Sequence, residues 1–387
     1  MIEARDFVES ARALGLGTYA GVPCSFLTPF IDYVIGDGSL RYVASANEGD
    51  AVATAAGVAL AGGRAVAMMQ NSGLGNAVSP LTSLTWTFRL PVLLICTHRG
   101  APGVQDEPQH ALMGRITTRL LDSMEVPWRD FPAEAGAIDG VLQEAGAHMA
   151  GERRPFALVM QKGTVAPSGL LGGAAASAHA GQTPTSGPDA RGFGRRPGER
   201  ASRNEALRRI VDRSPEATSV VIATTGYTGR ELCALADRPN QFYMVGSMGC
   251  VSSLGLGVAL QAPGREVIVV DGDGAALMRM GNFATVGVYG GDNLTHIVID
   301  DEADDSTGGQ RTVSAGVDFG AVAAACGYRS VVSGDDVALV DEVCRSRGLP
   351  GPRFLHLKTR PGTVPNLPRP ALGPEDVAAR LMRHIAR

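Results

Sequence analysis

The chain has 387 residues, 44% of them hydrophobic and 19% charged, with a formal net charge of −4. That much apolar material suits two or three globular domains, and the weak negative charge excludes the basic footprint of a nucleic-acid-binding protein. No apolar run reaches membrane-spanning length, and Met1-Ile2-Glu3-Ala4-Arg5-Asp6 lacks the pattern of a secretory leader, so a cytoplasmic protein without a membrane partner is expected. The six cysteines (Cys24, Cys96, Cys233, Cys250, Cys326, Cys344) are scattered, and no pair has Cys-x-x-Cys spacing. Reduced thiols are expected rather than a disulfide framework or a zinc site.

In chain order, the periodicity predicts an amphipathic helix over 3–14, a short strand at 19–23 and a helix starting near Cys24-Ser25-Phe26-Leu27. A strand at 40–44 precedes an Ala-rich helix over 48–61, whose small residues permit very close packing. The strand 64–70 runs into a glycine loop, Asn71-Ser72-Gly73-Leu74-Gly75-Asn76, ahead of another helix. Further strands are predicted at 91–97 and 155–161. Such alternation indicates a doubly wound parallel sheet.

From 164 to 202 Gly, Ala, Ser, Pro and Arg dominate and the hydrophobic period disappears. This composition reads as a flexible, partly disordered linker, the alternative being an ordered ligand-binding loop. It divides the chain into α/β domains at 1–163 and 203–387. In the second, a helix is predicted over 204–214, strands at 219–223, 267–270, 294–299 and 354–358, and a closing helix over 374–385.

The stretch 267–310 is the most informative. An apolar strand turns at Asp271-Gly272-Asp273-Gly274, a helix follows over 275–288, and a second strand runs into Asp300-Asp301-Glu302. In a βαβ unit both strands end on one sheet edge and deliver their carboxylates to one crevice. Two hard oxygen ligands beside a glycine turn suit Mg²⁺ holding a diphosphate, whereas ordinary acidic strand-end turns are the plainer reading.

Seven stretches carry a family resemblance: Gly21-Val22-Pro23-Cys24-Ser25-Phe26-Leu27, Asn47-Glu48-Gly49, residues 71–76, Asp106-Glu107-Pro108-Gln109-His110, Gly246-Ser247-Met248-Gly249-Cys250, Gly272-Asp273-Gly274 and Ser306-Thr307-Gly308-Gly309-Gln310. In this order they resemble the thiamin-diphosphate-dependent 2-oxoacid decarboxylases. The resemblance implies a pyrimidine-binding domain, then a diphosphate-binding domain, with no middle domain between them. That minimal plan is similar to the phosphonopyruvate and sulfopyruvate branches of the family. Fusion of both halves in one chain tilts the reading towards phosphonopyruvate. The expected reaction is decarboxylation to phosphonoacetaldehyde and CO₂, in phosphonate biosynthesis. The alternatives are sulfopyruvate, another small 2-oxoacid, or a non-catalytic cofactor-binding homologue.

The resemblance also implies roles. Glu48 is expected to hydrogen-bond the cofactor's aminopyrimidine, which needs a carboxyl group in a largely dry site. Met248 would wedge beneath the cofactor, and the Gly246 carbonyl would take its amino group. Asp273, Asp301 and the Ala303 carbonyl would hold Mg²⁺. Gly272, Gly274, Ala275, Thr225, Gly226 and Tyr227 would contact the diphosphate. His110 is expected as a catalytic histidine on an active-site loop. Ser25, Thr28, Asn71, Arg115 and Gln310 are candidate donors to a small anionic 2-oxoacid, Arg115 through a bidentate fork. Because Glu48 and Asp273 fall in different halves, the resemblance implies at least a dimer with the active site at the subunit interface.

The sequence departs from the family in one place. Asparagine usually stands at Asp301, glycine commonly at Glu302, and histidine at Asp304 in the phosphonopyruvate branch. An aspartate beside a diphosphate adds negative charge, so cofactor binding is expected to be weaker or more metal-dependent, and tighter in Asp301→Asn. Arg311 is the nearby candidate to neutralise the acidic run. The missing histidine leaves the proton donor unassigned.

Overall fold

The computed structural model describes residues 1–167, 189–345 and 349–387. The chain forms two compact units, Met1–Ala180 and Gly181–Arg387. Each is a parallel sheet with helices between its strands, so the doubly wound reading holds in both halves.

Among its described residues the first unit has six strands: β1 (Leu16–Gly21), β2 (Arg41–Ala44), β3 (Arg64–Gln70), β4 (Leu93–Thr97), β5 (Trp128–Asp130) and β6 (Phe156–Met160). Their order is β2-β1-β3-β4-β6-β5, every pairing being parallel. The order reverses between β1 and β3, so a crevice opens where those two strands end. β4 and β6 are buried throughout, as continuous apolar runs in a covered parallel sheet require. The helix Glu48–Leu60 is buried from Gly49 onward, which its glycine and alanine content permits.

The second unit has a seven-stranded sheet of β7 (Asp189–Ala190), β8 (Ser219–Ala223), β9 (Gln241–Tyr243), β10 (Glu266–Gly272), β11 (Leu294–Asp300), β14 (Ser330–Gly334) and β15 (Arg353–Lys358). Strands β12 (Ala303–Asp304) and β13 (Gln310–Arg311) form a separate antiparallel hairpin. The sheet order is β7-β14-β15-β11-β10-β8-β9. Here the switch point lies between β8 and β10. The βαβ unit is present: β10 and β11 pair in parallel, Gly272 opposite Ile299, and both end on one edge.

Three differences from the sequence reading have physical causes. The helix predicted over 275–288 is two helices, Asp273–Met278 and Asn282–Tyr289, broken next to Gly281. Strands β5, β7 and β9 escape periodicity because each is only two or three residues long and sits at a sheet edge. The stretch 164–202 is tied down at both ends: Ile2 bridges Val165, and β7 pairs with β14. Backbone pairing needs no hydrophobic period, so composition could not reveal it; the central 168–188 lie outside the described residues. Among the described residues no helix is long and apolar enough to cross a membrane.

Candidate active site

In the first unit, Asn47 caps the helix Glu48–Leu60, its Oδ1 accepting from the Gly49 N–H at 2.8 Å. That cap sets Glu48 at the helix start, half-buried. The stretch expected as a glycine loop is helical from Leu74, and Asn76, on the helix Leu74–Pro80, donates to Glu48 Oε2 at 2.8 Å. Gly73 faces the same carboxyl so closely that any Cβ would collide with it.

The crevice at the ends of β1 and β3 gathers Cys24, Ser25 and Gln70. Cys24 Sγ donates to Gln70 Oε1 at 3.3 Å. Ser25 and Thr28 are exposed there. Arg99, two residues past β4, donates from Nη1 to Ser25 Oγ at 3.3 Å and lies over the Phe26 ring. Asp106 grips the other side of its guanidinium: Arg99 Nε donates to Asp106 Oδ2 at 2.7 Å and Nη2 to Oδ1. The Arg99 fork holds the Asp106 carboxyl well below the ordinary carboxylate range, and the Glu107 and Gly100 N–H groups add to this. Sequence reasoning passed over Arg99, although its position just beyond an apolar strand was a usable signal.

Of the other three expected substrate donors, two belong to this unit and one to the second. Asn71 is fully buried; its Nδ2 donates to the Arg99 carbonyl (2.8 Å) and Thr117 Oγ1 (2.9 Å), while its Oδ1 has no hydrogen-bond partner. These two bonds tie the end of β3 to Arg99 and to the helix Ala111–Ser123. Arg115 is exposed on the helix Ala111–Ser123, away from its buried residues Gly114, Thr117 and Leu121. Gln310 is exposed on the β12–β13 hairpin, where Thr307 Oγ1 donates to its Oε1 at 2.9 Å. His110 is not a surface-loop histidine: it is 6% exposed, with Nδ1 buried and lacking a hydrogen-bond partner.

In the second unit four adjacent strand ends build a polar cleft. Met248 follows β9, Thr225, Gly226 and Tyr227 follow β8, Asp273 and Gly274 follow β10, and Asp301 follows β11. Gly226 sits at φ 91, a conformation open to glycine, ahead of the helix Tyr227–Leu235. Ser247 (φ 51) and Gly249 (φ 88) flank Met248, and the methionine's Cε reaches the Gly274 turn. Ala275 and Ala303 line the same cleft, and Gly246 lies on the Met248 turn.

The carboxylates there are closely managed. Asp273 is 3% exposed and accepts from Thr312 Oγ1. Ser314 Oγ lies 2.8 Å from Thr312 Oγ1 and donates to Asp300 Oδ1 at 2.8 Å. Asp300 Oδ2 meets His356 Nε2 at 2.8 Å and Lys358 Nζ at 2.7 Å. Burial alone would raise the Asp300 carboxyl; His356 and Lys358 bring it down to about 2. Asp301, 4% exposed, pairs with Arg203 Nη1 at 2.9 Å. Arg311 is exposed, its Nη2 3.9 Å from Glu302, so the buried acids are met by Arg203 and Lys358 instead.

This chemistry fits a divalent cation and a diphosphate. Burial raises the carboxyl of Asp273, with Asp300 adding to it. Burial also raises that of Asp301, with Asp273 and Asp305 adding and Arg203 opposing. Two dry carboxylates in mutual repulsion are short of positive charge, which a divalent metal supplies. Thr224 Oγ1, buried in the same cleft, has no hydrogen-bond partner. Among the described residues no three His, Cys, Asp or Glu side chains are grouped so as to hold a metal ion by themselves; the expected set needs a backbone carbonyl beside its two carboxylates.

Two parallel α/β units, one presenting Glu48 and the other a glycine and carboxylate cleft, define the architecture of a thiamin-diphosphate enzyme. Residues 3–123 match the thiamine pyrophosphate enzyme N-terminal TPP binding domain, and residues 225–356 match the C-terminal TPP binding domain. The chain belongs to this family. It is 45% identical over 388 residues to a phosphonopyruvate decarboxylase of Streptomyces viridochromogenes, spanning 100% of this chain and 95% of that one. It is 44% identical to the Streptomyces hygroscopicus phosphonopyruvate decarboxylase, over 98% and 93% of the two chains. In fold it is similar to benzoylformate decarboxylase from Polynucleobacter necessarius, with a TM-score of 0.71 at 13% identity, covering 94% of this chain and 100% of that one.

Proposed function

We propose that this protein is a thiamin-diphosphate- and Mg²⁺-dependent decarboxylase that converts 3-phosphonopyruvate to phosphonoacetaldehyde and CO₂. The observation that carries the reading is the end-to-end 45% identity to an enzyme of that name. The site chemistry supports it. When bound, thiamin diphosphate supplies the electron sink that a 2-oxoacid needs to lose CO₂. Glu48 would hold the aminopyrimidine nitrogen, with Asn76 fixing the carboxyl. Met248 would support the rings. Asp273, Asp301 and the Ala303 carbonyl would hold Mg²⁺, and Thr225, Gly226 and Tyr227 the diphosphate. Ser25, Thr28 and Arg99 would receive the substrate's terminal anion. His110, buried and with a free nitrogen, is assigned to proton handling.

Glu48 and Asp273 belong to different units, and we take the working site from two copies of the chain. Six free cysteines support a reducing, cytoplasmic setting. The test is CO₂ release from phosphonopyruvate, sulfopyruvate and pyruvate, with and without thiamin diphosphate and Mg²⁺. Cofactor-dependent turnover fastest on phosphonopyruvate is expected. Phosphonopyruvate turning over no faster than pyruvate would sink the substrate assignment.

A further inference from the structure

We propose that Arg203 is a positioning residue of the metal cleft: it fixes Asp301 by one oxygen and supplies the counter-charge that lets an aspartate stand beside a diphosphate. The inference rests on the reading of Asp301 as a metal ligand.

Arg203 is the first residue of the helix Arg203–Arg213 and is only 6% exposed. A reciprocal cap fixes that helix start, Ser202 Oγ accepting from Glu205 N and Glu205 Oε2 accepting from Ser202 N. Glu231, fully buried, holds the guanidinium from one side: Nε and Nη2 both donate to its Oε1 at 3.2 Å. Thr363 Oγ1 donates to that same oxygen at 2.7 Å. With Nε and Nη2 anchored, Nη1 reaches Asp301 Oδ2 at 2.9 Å. Nη2 also donates to Asp305 Oδ2 at 3.1 Å and to the Gly362 carbonyl at 3.2 Å.

Two features separate this from an ordinary buried ion pair. First, one guanidinium faces three carboxylates, where a structural pair needs one. Two of these carboxylates, Asp301 and Asp305, line the cleft that holds Asp273. Second, Arg203 occupies only one oxygen of Asp301. The other, Oδ1, accepts a long 3.4 Å bond from the Ala303 N–H and is the oxygen we assign to a metal. A rigid planar fork can divide a carboxylate in this way, whereas a lysine ammonium is a point charge.

The pairing changes the expected sign of Asp301→Asn. With Arg203 present the Asp301 charge is already compensated, so neutralising residue 301 only loses the charge-assisted Arg203 bond and should not tighten the cofactor. Without Arg203, the same substitution removes an uncompensated charge and should tighten it. The test is the thiamin diphosphate dissociation constant at saturating Mg²⁺, measured calorimetrically for wild type, Asp301→Asn, Arg203→Met and the double variant. Expected results are no tightening for Asp301→Asn alone, at least about tenfold weakening for Arg203→Met, and partial recovery in the double variant. Arg203→Met having no effect, or Asp301→Asn tightening equally in both backgrounds, would overturn the proposal. If Arg203→Met does not fold, Arg203→Lys takes its place. Weakened binding with the same reversal is expected, and wild-type behaviour in both backgrounds overturns it.

Asp301→Ala keeps the two readings apart. If Mg²⁺ dependence of cofactor binding survives Asp301→Ala, the ligand assignment fails and this inference with it. If Asp301→Ala removes that dependence while Arg203 substitutions are neutral, only the inference fails.

Discussion

Asn76 donates to Glu48 Oε2 at 2.8 Å, while Gly73, three residues earlier, leaves the carboxyl just enough room. Glu48→Gln is expected to lower kcat by about 10²-fold or more, the range for loss of a positioned acid–base group. Gly73 has φ −79, which alanine tolerates, so Gly73→Ala should act through Glu48 alone. We expect a fall in kcat of about tenfold with a small change in thermal midpoint, read by steady-state kinetics and calorimetry. An unchanged kcat in Gly73→Ala would mean that the carboxyl position is not critical.

Two inactive variants should rescue each other. If Glu48 of one copy works with Asp273 of another, mixing Glu48→Gln with Asp273→Asn under subunit exchange restores up to about a quarter of wild-type activity. Activity no higher than that of either variant alone would place both residues of each site in one chain.

Arg99 and Arg115 make opposite predictions. Arg99 meets Ser25 at the sheet edge, whereas Arg115 is exposed on a helix. Arg99→Met should raise KM for phosphonopyruvate about tenfold or more, with a smaller change for pyruvate. Arg115→Met should leave KM within about twofold. Equal effects on both substrates would make Arg99 a structural clamp only.

Chelation should strip cofactor binding, because Asp273 and Asp301 repel an unaccompanied diphosphate. Mg²⁺ or Mn²⁺ should restore it. Loading should stabilise the fold by about 2.7 kcal/mol at 100 times the dissociation constant, seen as a higher thermal midpoint. Cofactor binding of equal strength in the presence of a chelator would remove the metal from the site.

The Arg99–Asp106 clamp has a defined pH window. The Asp106 carboxyl is depressed in the folded protein, below its ordinary value of 3.8. Its contribution is therefore fully present above that value and lost as pH falls through the lower folded value. The stability gap between wild type and Asp106→Asn should be flat from about pH 5 to pH 8 and shrink below about pH 4. Thermal midpoints across that range test it; a gap that closes near neutrality would assign the effect to another group.

Much of this protein was legible locally. The turn Asp271-Gly272-Asp273-Gly274, the acids ending β11 and the capped Glu48 are short-range signals. A strand that stops at a glycine or an acid marks its own end, and parallel strands bring such ends to one edge. That logic was enough for the fold class, the two halves and the cleft with Asp273 and Asp301. It does not reach the surroundings of individual side chains. Asn71 and Arg115 both read as donors to an anion; Asn71 is buried with its Nδ2 bonded to the Arg99 carbonyl and Thr117, and Arg115 is exposed on its helix.

Charge compensation was decided by tertiary structure alone. The acidic run at 300–305 read as an excess met by its neighbour Arg311, but its buried partner is Arg203, 98 residues earlier. Arg99 likewise finds Ser25 across 74 residues. Pairings of this kind leave no periodic trace, because they depend on which strand lies beside which and on which helix start is aimed at the cleft. Sequence determines which groups end up at a sheet edge; the packed fold determines which of them are neutralised, braced or left for a ligand.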